Sequence, residues 1–369
     1  MCTTTKVAII GAGGMLPYHV KGFREAGAEI VAIADPNTER LAAAAEKFAI
    51  PKTFPDLIAM LYQAIDFDAV SIIAPNHLHK PLVTQALSAG KHVFCEKPPA
   101  LNAKEVLVMI DLAQAVKKTL MFNFNNRHRH EAMALKRIIE QGRVDSDIGG
   151  RNFITAAQAL WIRRRGIPGF GTWFTDKAQS GGGALIDLLH MIDLALWLMG
   201  YPDPAWVLGN IRSDFAGDRG FKGPWGLTDG DGPVNVEMAA HGFVLFKGGQ
   251  SLHLRCSWAE LNEREEVSVN LQGSLIGARL RRLFGQDGID DTAQDSLTVF
   301  RSDKHSDKHE SIVCKPDPTM GRVASAAHFI NVVNGLEGPL STPEQALTLM
   351  RIIDAVYESA AYNGPVSLL

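Results

Sequence analysis

Cysteine is scarce in this chain of 369 residues, and the four present, Cys2, Cys95, Cys256 and Cys314, are scattered with no C-x-x-C pairing. That excludes a disulfide framework and a zinc module built on paired thiols. Charge of one sign is missing too: 37 Lys and Arg stand against 40 Asp and Glu, interspersed, for a net charge of -3. Such a surface gives no field for phosphate backbones or anionic bilayers, so neither nucleic acid nor membrane is expected as a partner. A clean hydrophobic run of membrane-spanning length is also absent. The most apolar helical stretch, 184–199, carries Asp187, His190 and Asp193, which suits a buried helix rather than lipid. Met1-Cys-Thr-Thr-Thr-Lys6 leads straight into a strand without the apolar segment of a signal peptide, and a reducing cytoplasm is the expected location. Repeats and low-complexity tracts are lacking, no His/Cys/Asp spacing points to a metal, and no Ser-His-Asp arrangement is signalled locally.

What is present is an ordinary hydrophobic content of 46% spread over more residues than one core usually organises, so two domains are expected. The first part alternates strand and helix signals. Strands are predicted at 6–10, 29–34, 69–74 and 91–95, with helices over 17–26, 42–48, 81–89 and 103–117, the pattern of a parallel sheet with helical crossovers. After residue 125 the texture changes: a helix over 131–141 precedes strands at 151–156, 234–246, 251–258, 266–271, 296–301 and 311–314. The fold class is therefore α/β, a Rossmann-like domain over 1–125 followed by a domain over 126–369 on an open, mostly antiparallel sheet. The last helix, 343–362, is placed to pack back on the first domain. The Gly- and Asp-rich stretch 216–233 reads either as a solvated loop or as a flap over a cleft.

The turn Gly11-Ala12-Gly13-Gly14-Met15 after the first strand suits a dinucleotide. Gly11 permits the tight turn, and Gly13 removes the side chain that would hold a pyrophosphate away from the backbone and the helix start. The sixth position of the motif is Leu16 rather than glycine, which loosens helix-to-strand packing. Asp35 ends the second strand where a carboxylate accepts both ribose hydroxyls, favouring NAD over NADP, while Arg40 nearby is able to receive a 2′-phosphate. Lys97, in Cys95-Glu96-Lys97-Pro98-Pro99, closes another strand at the edge where doubly wound sheets hold ligands; it is either fixed there for chemistry or a plain surface lysine. A second cluster follows Gly181-Gly182-Gly183. Asp187 and His190 are three residues apart and share one face of a helix, and imidazole titrates where a base for a carbinol proton is needed. Asp193, one turn on, either orients His190 or serves contacts elsewhere, and stands outside the catalytic set of Lys97, Asp187 and His190.

Gly11-x-Gly13, Asp35, Pro75-Asn76-x-x-His79, Ala89-Gly-Lys-His-Val93, Glu96-Lys97-Pro98, Gly181-Gly-Gly-Ala-Leu-Ile-Asp187 and Ser341-Thr-Pro-Glu-Gln-Ala-Leu347, in this order, resemble the glucose-fructose oxidoreductase, inositol dehydrogenase and rhizopine-catabolism (Gfo/Idh/MocA) family over nearly the whole chain. The resemblance implies a two-domain NAD(P)-dependent oxidoreductase acting on a ring hydroxyl of a sugar or cyclitol, in a homo-oligomer, dimer or tetramer, paired through open sheets. It implies that Gly11, Gly13, Gly14, Met15, Asp35, Pro75, Asn76, His79 and Glu96 hold the dinucleotide and that Lys97 lies between nicotinamide and substrate. Many members place four steps between the aspartate and histidine matched here by Asp187 and His190; this chain has three. By the same likeness Asn125 and Arg127 enter beside the pocket as hydroxyl donors, although Arg127-His-Arg-His130 reads equally as a solvated helix start. Trp161, Arg163, Arg164 and Trp173 complete the expected substrate contacts, indoles stacking on sugar faces and arginines forking onto hydroxyls or carboxylates. Arg163, Arg164 and Arg165 cannot all face one pocket, so at least one belongs to the surface or an interface. Two alternatives remain open: a glycosidase working by transient oxidation, and a non-catalytic nucleotide-sensing regulator, against which the presence of Lys97, Asp187 and His190 argues.

Overall fold

A computed structural model describes residues 4–63, 65–145, 154–284, 287–302 and 307–369. Two compact units are present, Met1–His128 with Thr319–Leu347, and Arg129–Pro318 with Thr348–Leu369.

The first unit begins β1 (Lys6–Ile10), α1 (Leu16–Glu25), β2 (Glu29–Ala34), α2 (Thr38–Phe48), β3 (Thr53–Phe54), α3 (Leu57–Tyr62) and β4 (Ala69–Ile72). It continues α4 (His79–Ser88), β5 (His92–Cys95), α5 (Ala103–Val116) and β6 (Leu120–Phe122). Val7 to Ile10 are buried on both faces with no polar alternation, as an interior parallel strand requires. Helix starts are fixed locally: Asn37 caps α2 by accepting the Arg40 amide at 2.8 Å, and Asp56 caps α3 through the Ala59 amide at 2.7 Å. The strands run parallel in the order β3-β2-β1-β4-β5-β6. The order reverses between β1 and β4, so the ends of β1, β4 and β5, and with them Gly11 and Lys97, lie on the edge where such sheets take ligands. The short β3 and β6 carry too few residues for a periodicity signal.

The second unit holds α6 (His130–Asp145), β7 (Ile154–Ile162), α7 (Lys177–Ser180), α8 (Ala184–Asp187), α9 (His190–Met199), β8 (Pro204–Arg212) and β9 (Ala239–Phe246). Then come β10 (Ser251–Ser257), β11 (Glu266–Gly273), β12 (Gly277–Leu283), β13 (Ser296–Ser302) and β14 (Asp307–Ile312). The expected strand at 151–156 is seen from Ile154 onward and is longer than expected; 151–153 lie outside the described residues. The strand expected over 234–246 starts only at Ala239; before it, Glu237 turns to the Gly183 and Leu185 amides and Asn235 to Thr175 and Lys177. The strand expected at 311–314 is instead β14, whose ladder with β13 ends at Ile312 opposite Leu297. The helix expected over 184–199 is broken into α8 and α9, and the segments on either side of the break are bent by 54°. Every residue of α9 is buried, and it packs on β7 and β11. Arg129, at the head of this unit, is buried in an ion network with Glu131, Asp290 and Asp295, and Arg282 joins it through Glu131.

The chain ends α10 (Arg322–Val333), α11 (Pro343–Tyr362) and β15 (Val366–Ser367). β15 completes a nine-stranded sheet, β14-β13-β12-β11-β7-β10-β9-β8-β15, in which, among the described residues, only β7 and β10 pair in parallel. The single domain boundary near 125 is corrected by α10, which returns to the first unit and lies against α1. Phe329 stacks on Phe94 at 5.1 Å, and Gly22 leaves room for the approach, since a side chain there would meet the Val323 carbonyl at 2.4 Å. The helix 343–362 has the bounds expected of it, but the expectation that it packs back on the first domain is corrected: from Thr348 onward it belongs to the second unit, where Tyr357 meets Glu237 and Ser359 meets Gly209. Among the described residues no single helix is long and apolar enough to cross a membrane.

Candidate active site

Within the first unit, Gly11 has φ +100°, and a Cβ there would stand 2.0 Å from the Ile73 carbonyl oxygen. Gly13 and Gly14 differ. A Cβ on Gly13 would touch only Ile73 Cγ2 at 4.0 Å, and one on Gly14 would meet nothing within 4 Å, so the space beside the turn is open. Helix α1 begins there after Met15 with no side-chain cap; its Leu16 and Tyr18 amides turn back onto the Gly13 and Met15 carbonyls at 3.0 and 3.1 Å, and Pro17 has no amide hydrogen, so the helix start adds its dipole to the open side of the turn. Asp35 is buried; its Oδ2 accepts the Ala12 amide at 2.8 Å, and its Oδ1 accepts the Asn37 amide and Arg40 Nη2, each at 2.8 Å. Burial works to raise this carboxyl, but the donors from Arg40, Ala12 and Asn37 hold it below the usual aspartate value. These residues fit a dinucleotide with a free 2′-hydroxyl: an open glycine shelf, a helix start for the pyrophosphate and an ionised acid for the ribose.

Lys97 is half-buried at the end of β5. The residues around it are braced from below. Glu96 Oε1 lies 2.8 Å from His19 Nε2 and accepts Asn123 Nδ2 at 2.8 Å; Oε2 accepts the Lys97 amide at 3.1 Å, and His19 Nδ1 meets Ser71 Oγ at 2.8 Å. Burial pushes the Glu96 carboxyl up, yet His19, Asn123 and Lys97 together bring it below the usual glutamate value. Glu96, expected against the cofactor, is thus an internal anchor. His79, expected there as well, is fully buried with Nδ1 2.7 Å from the Pro98 carbonyl and Nε2 2.9 Å from that of Ala74. Burial lowers its pKa, and the ring ties the loop after β4 to the residue following Lys97. Asn76 is buried and Pro75 half-buried in that loop. Asn125 and Arg127 also turn inward: Asn125 Nδ2 donates to the Met320 carbonyl at 2.7 Å, and Arg127, with no exposed surface, donates to the Leu340 carbonyl at 2.7 Å and Gln345 Oε1 at 2.6 Å. The hydroxyl-donor role for these two is revised on that ground, since they fasten the returning segment 319–347.

Within the second unit, Asp187 ends α8 and His190 opens α9, so they do not share the face of one continuous helix as expected. The reason is tertiary. Asp187 Oδ2 accepts Trp258 Nε1 at 2.9 Å, and Leu188 leaves the helix at φ -90° and ψ 17°. Asp193 is engaged elsewhere, accepting the Tyr201 hydroxyl at 2.6 Å. The Trp161 ring lies 5.6 Å from that of His190. From it a train of contacts runs through Phe284, Arg163, Trp225 and Phe174 to Trp173. Trp161 thus walls one side of His190, and Trp173 joins that wall only at the far end of the train. Arg163 is corrected to an internal tie of that wall: it is buried, paired with Glu265 at 3.0 Å, and donates to the Gly288 carbonyl at 2.8 Å. Arg164 is half-buried and lines a cavity of about 260 Å³ with Arg165, Lys222, Glu263 and Asp287. The stretch 216–233 is laced to the segment 168–171 rather than free, by the Leu227 amide on Pro168, Gly230 on Phe170 and Gly232 on Gly171, at 2.8–3.0 Å.

The profile described as "Oxidoreductase family, NAD-binding Rossmann fold" matches residues 5–124, and the "GFO/IDH/MocA C-terminal domain" matches 133–293. D-glucoside 3-dehydrogenase of Escherichia coli K12 is 31% identical over 98% of this chain and 97% of its own length. The chain belongs to the Gfo/Idh/MocA family. Levoglucosan dehydrogenase of Pseudarthrobacter phenanthrenivorans is 32% identical over 59% of this chain and 56% of its own. The fold is also that of a levoglucosan dehydrogenase solved with NADH and levoglucosan, at a TM-score of 0.80 and 22% identity, covering 99% of this chain and 100% of that one. NAD is the cofactor of this Gfo/Idh/MocA chain, and the open glycine shelf and Asp35 fit it. Three residues escaped the sequence: His19 in the first unit, and Glu237 and Trp258 in the second. Each acts on a partner more than fifty positions away, and only their burial as polar or indole-bearing groups marks them.

Proposed function

We propose that this oxidoreductase takes a sugar, sugar derivative or cyclitol and oxidises one ring hydroxyl with NAD. The observation that carries the reading is His190 opening α9 just beyond Asp187, with the Trp161 ring beside it. An imidazole three residues beyond a carboxylate and flanked by an indole suits a carbinol on an apolar sugar face. Bound NAD supplies the hydride acceptor. His190 takes the hydroxyl proton, and Asp187, held by Trp258, favours the imidazolium that forms. Lys97, steadied by Glu96 and His79 around it, offsets alkoxide charge. A panel of pyranosides, free sugars, inositols and uronates assayed for NADH formation tests the reading. A substrate should emerge on which His190→Gln loses turnover roughly a hundredfold or more, the scale of a general base, with NAD binding intact. Cleavage of an aryl glycoside with no net NADH would replace dehydrogenation by transient oxidation, and no turnover of either kind would overturn the proposal.

The reading extends to assembly. Trp206 pairs with Leu245 and Leu208 with Phe243 across β8 and β9, and all four are exposed on one face of the nine-stranded sheet, an apolar patch that suits pairing with a second copy. A dimer or tetramer is therefore proposed; Phe243→Glu should release monomers in sedimentation, and a wild-type protein that is monomeric at micromolar concentration would refute it. A cytoplasmic location belongs to the same proposal, since Cys95, Cys256 and Cys314 are free thiols.

A further inference from the structure

Glu237 lies just before β9, buried, in a segment that carries none of the family motifs noted above. Its carboxylate receives the Gly183 amide on both oxygens at 3.0 Å, the Leu185 amide at 2.9 Å and the Tyr357 hydroxyl at 3.0 Å. Its own carbonyl accepts the Ala184 amide at 3.2 Å. Three successive amides at the start of α8 therefore end on one residue, more than fifty positions along the chain, in place of a local cap. The glycines follow from this contact. A Cβ on Gly183 would stand 2.0 Å from the Glu237 carbonyl oxygen, and one on Gly182 would stand 2.0 Å from the Tyr357 hydroxyl.

The next residue continues the arrangement. The Met238 carbonyl accepts the Trp258 amide at 2.8 Å, and Trp258 Nε1 then reaches Asp187 Oδ2 at the far end of α8. Both ends of this single helical turn are thus held by one segment, 237–238, directly or through its neighbour. We propose that Glu237 is a positioning residue for the proton-transfer pair: by capping α8 it sets where Asp187 lies and, through Leu188 and Leu189, where His190 points. Burial raises the Glu237 carboxyl above its usual value, with the Leu185 and Gly183 amides pulling the other way. The inference rests on the reading of His190 as the base.

Glu237→Gln removes the charge and turns an amide donor toward the amides it should receive. On a substrate found by the panel, its kcat should fall at least about tenfold with KM and NAD affinity within about twofold, and the His190 Cε1–H resonance should move in the free protein; a fall of that size corresponds to about 1.4 kcal/mol of transition-state stabilisation. Tyr357→Phe, which keeps the three amide contacts, should lose only a few-fold in kcat. Native kcat and an unmoved His190 resonance in Glu237→Gln, beside an inactive His190→Gln, would overturn the role of Glu237 while leaving the base in place. Full activity in His190→Gln would instead remove the base reading itself. Should Glu237→Gln not fold, Tyr357→Phe decides: native kcat with an unmoved His190 resonance overturns the inference, and a few-fold loss with a moved resonance upholds it.

Discussion

Gly11 and Gly13 belong to one motif but should fail in opposite ways. At Gly11, φ is +100° and a Cβ would stand 2.0 Å from the Ile73 carbonyl oxygen, which leaves no room for alanine. Forcing it in costs about 1–3 kcal/mol of backbone strain. It also loosens the Gly11 amide bond to Ala34 and the Ile73 amide bond to Ile10, both 2.7 Å, each worth about 0.5–1.5 kcal/mol. The total, about 2–6 kcal/mol, is a large part of the 5–15 kcal/mol that holds a typical protein folded. A melting point lower by roughly 5–20 °C is expected for a unit of this size. At Gly13 the nearest atom to an added Cβ is 4.0 Å away, so Gly13→Ala should melt with the wild type and lose NAD affinity by about tenfold or more, ~1.4 kcal/mol. Thermal denaturation paired with NAD titration separates the two. Native NAD affinity in Gly13→Ala, or a native melting point in Gly11→Ala, would refute the assignment of one glycine to the fold and the other to the ligand.

Asp35→Ser should narrow the preference for NAD over NADP, because it removes the ribose acceptor and frees Arg40, now bound to that carboxylate; equal affinities in the unaltered protein would count against the assignment. The Glu96 carboxyl is depressed below its ordinary 4.5 in the folded chain, so its stabilising contribution is present above that value and is lost as pH falls through the folded one. In urea titrations the gap between wild type and Glu96→Gln should hold from neutrality to about pH 5 and shrink below it, and a gap of unchanged size in stronger acid would sink the argument. Arg163→Met leaves buried Glu265 unpaired and should cost about 3–5 kcal/mol in denaturation; a variant of native stability with only a raised KM would return Arg163 to the substrate.

Features that depend on near neighbours were legible in the sequence. The buried run before Gly11 gave a parallel strand, the glycine turn and Asp35 stand at the strand ends where they were expected, and the helix over 343–362 showed its full length. Each is governed by side chains a few positions apart, through strand alternation, helical period or turn geometry. Where polar groups point was decided by partners far along the chain. Nothing near Arg127 announces Leu340 and Gln345, nor does anything near Arg163 announce Glu265, and both arginines turned inward because a buried cation needs such partners. Asp187 and His190 were read as one face of a single helix, yet the helix breaks between them, where Asp187 binds Trp258 from seventy-one positions along the chain. The return of α10 to α1 rests on Phe329 finding Phe94 and on the space beside Gly22. Local rules constrain the elements; the burial of charge and the fit of distant surfaces, which exist only once the chain has closed on itself, set the site.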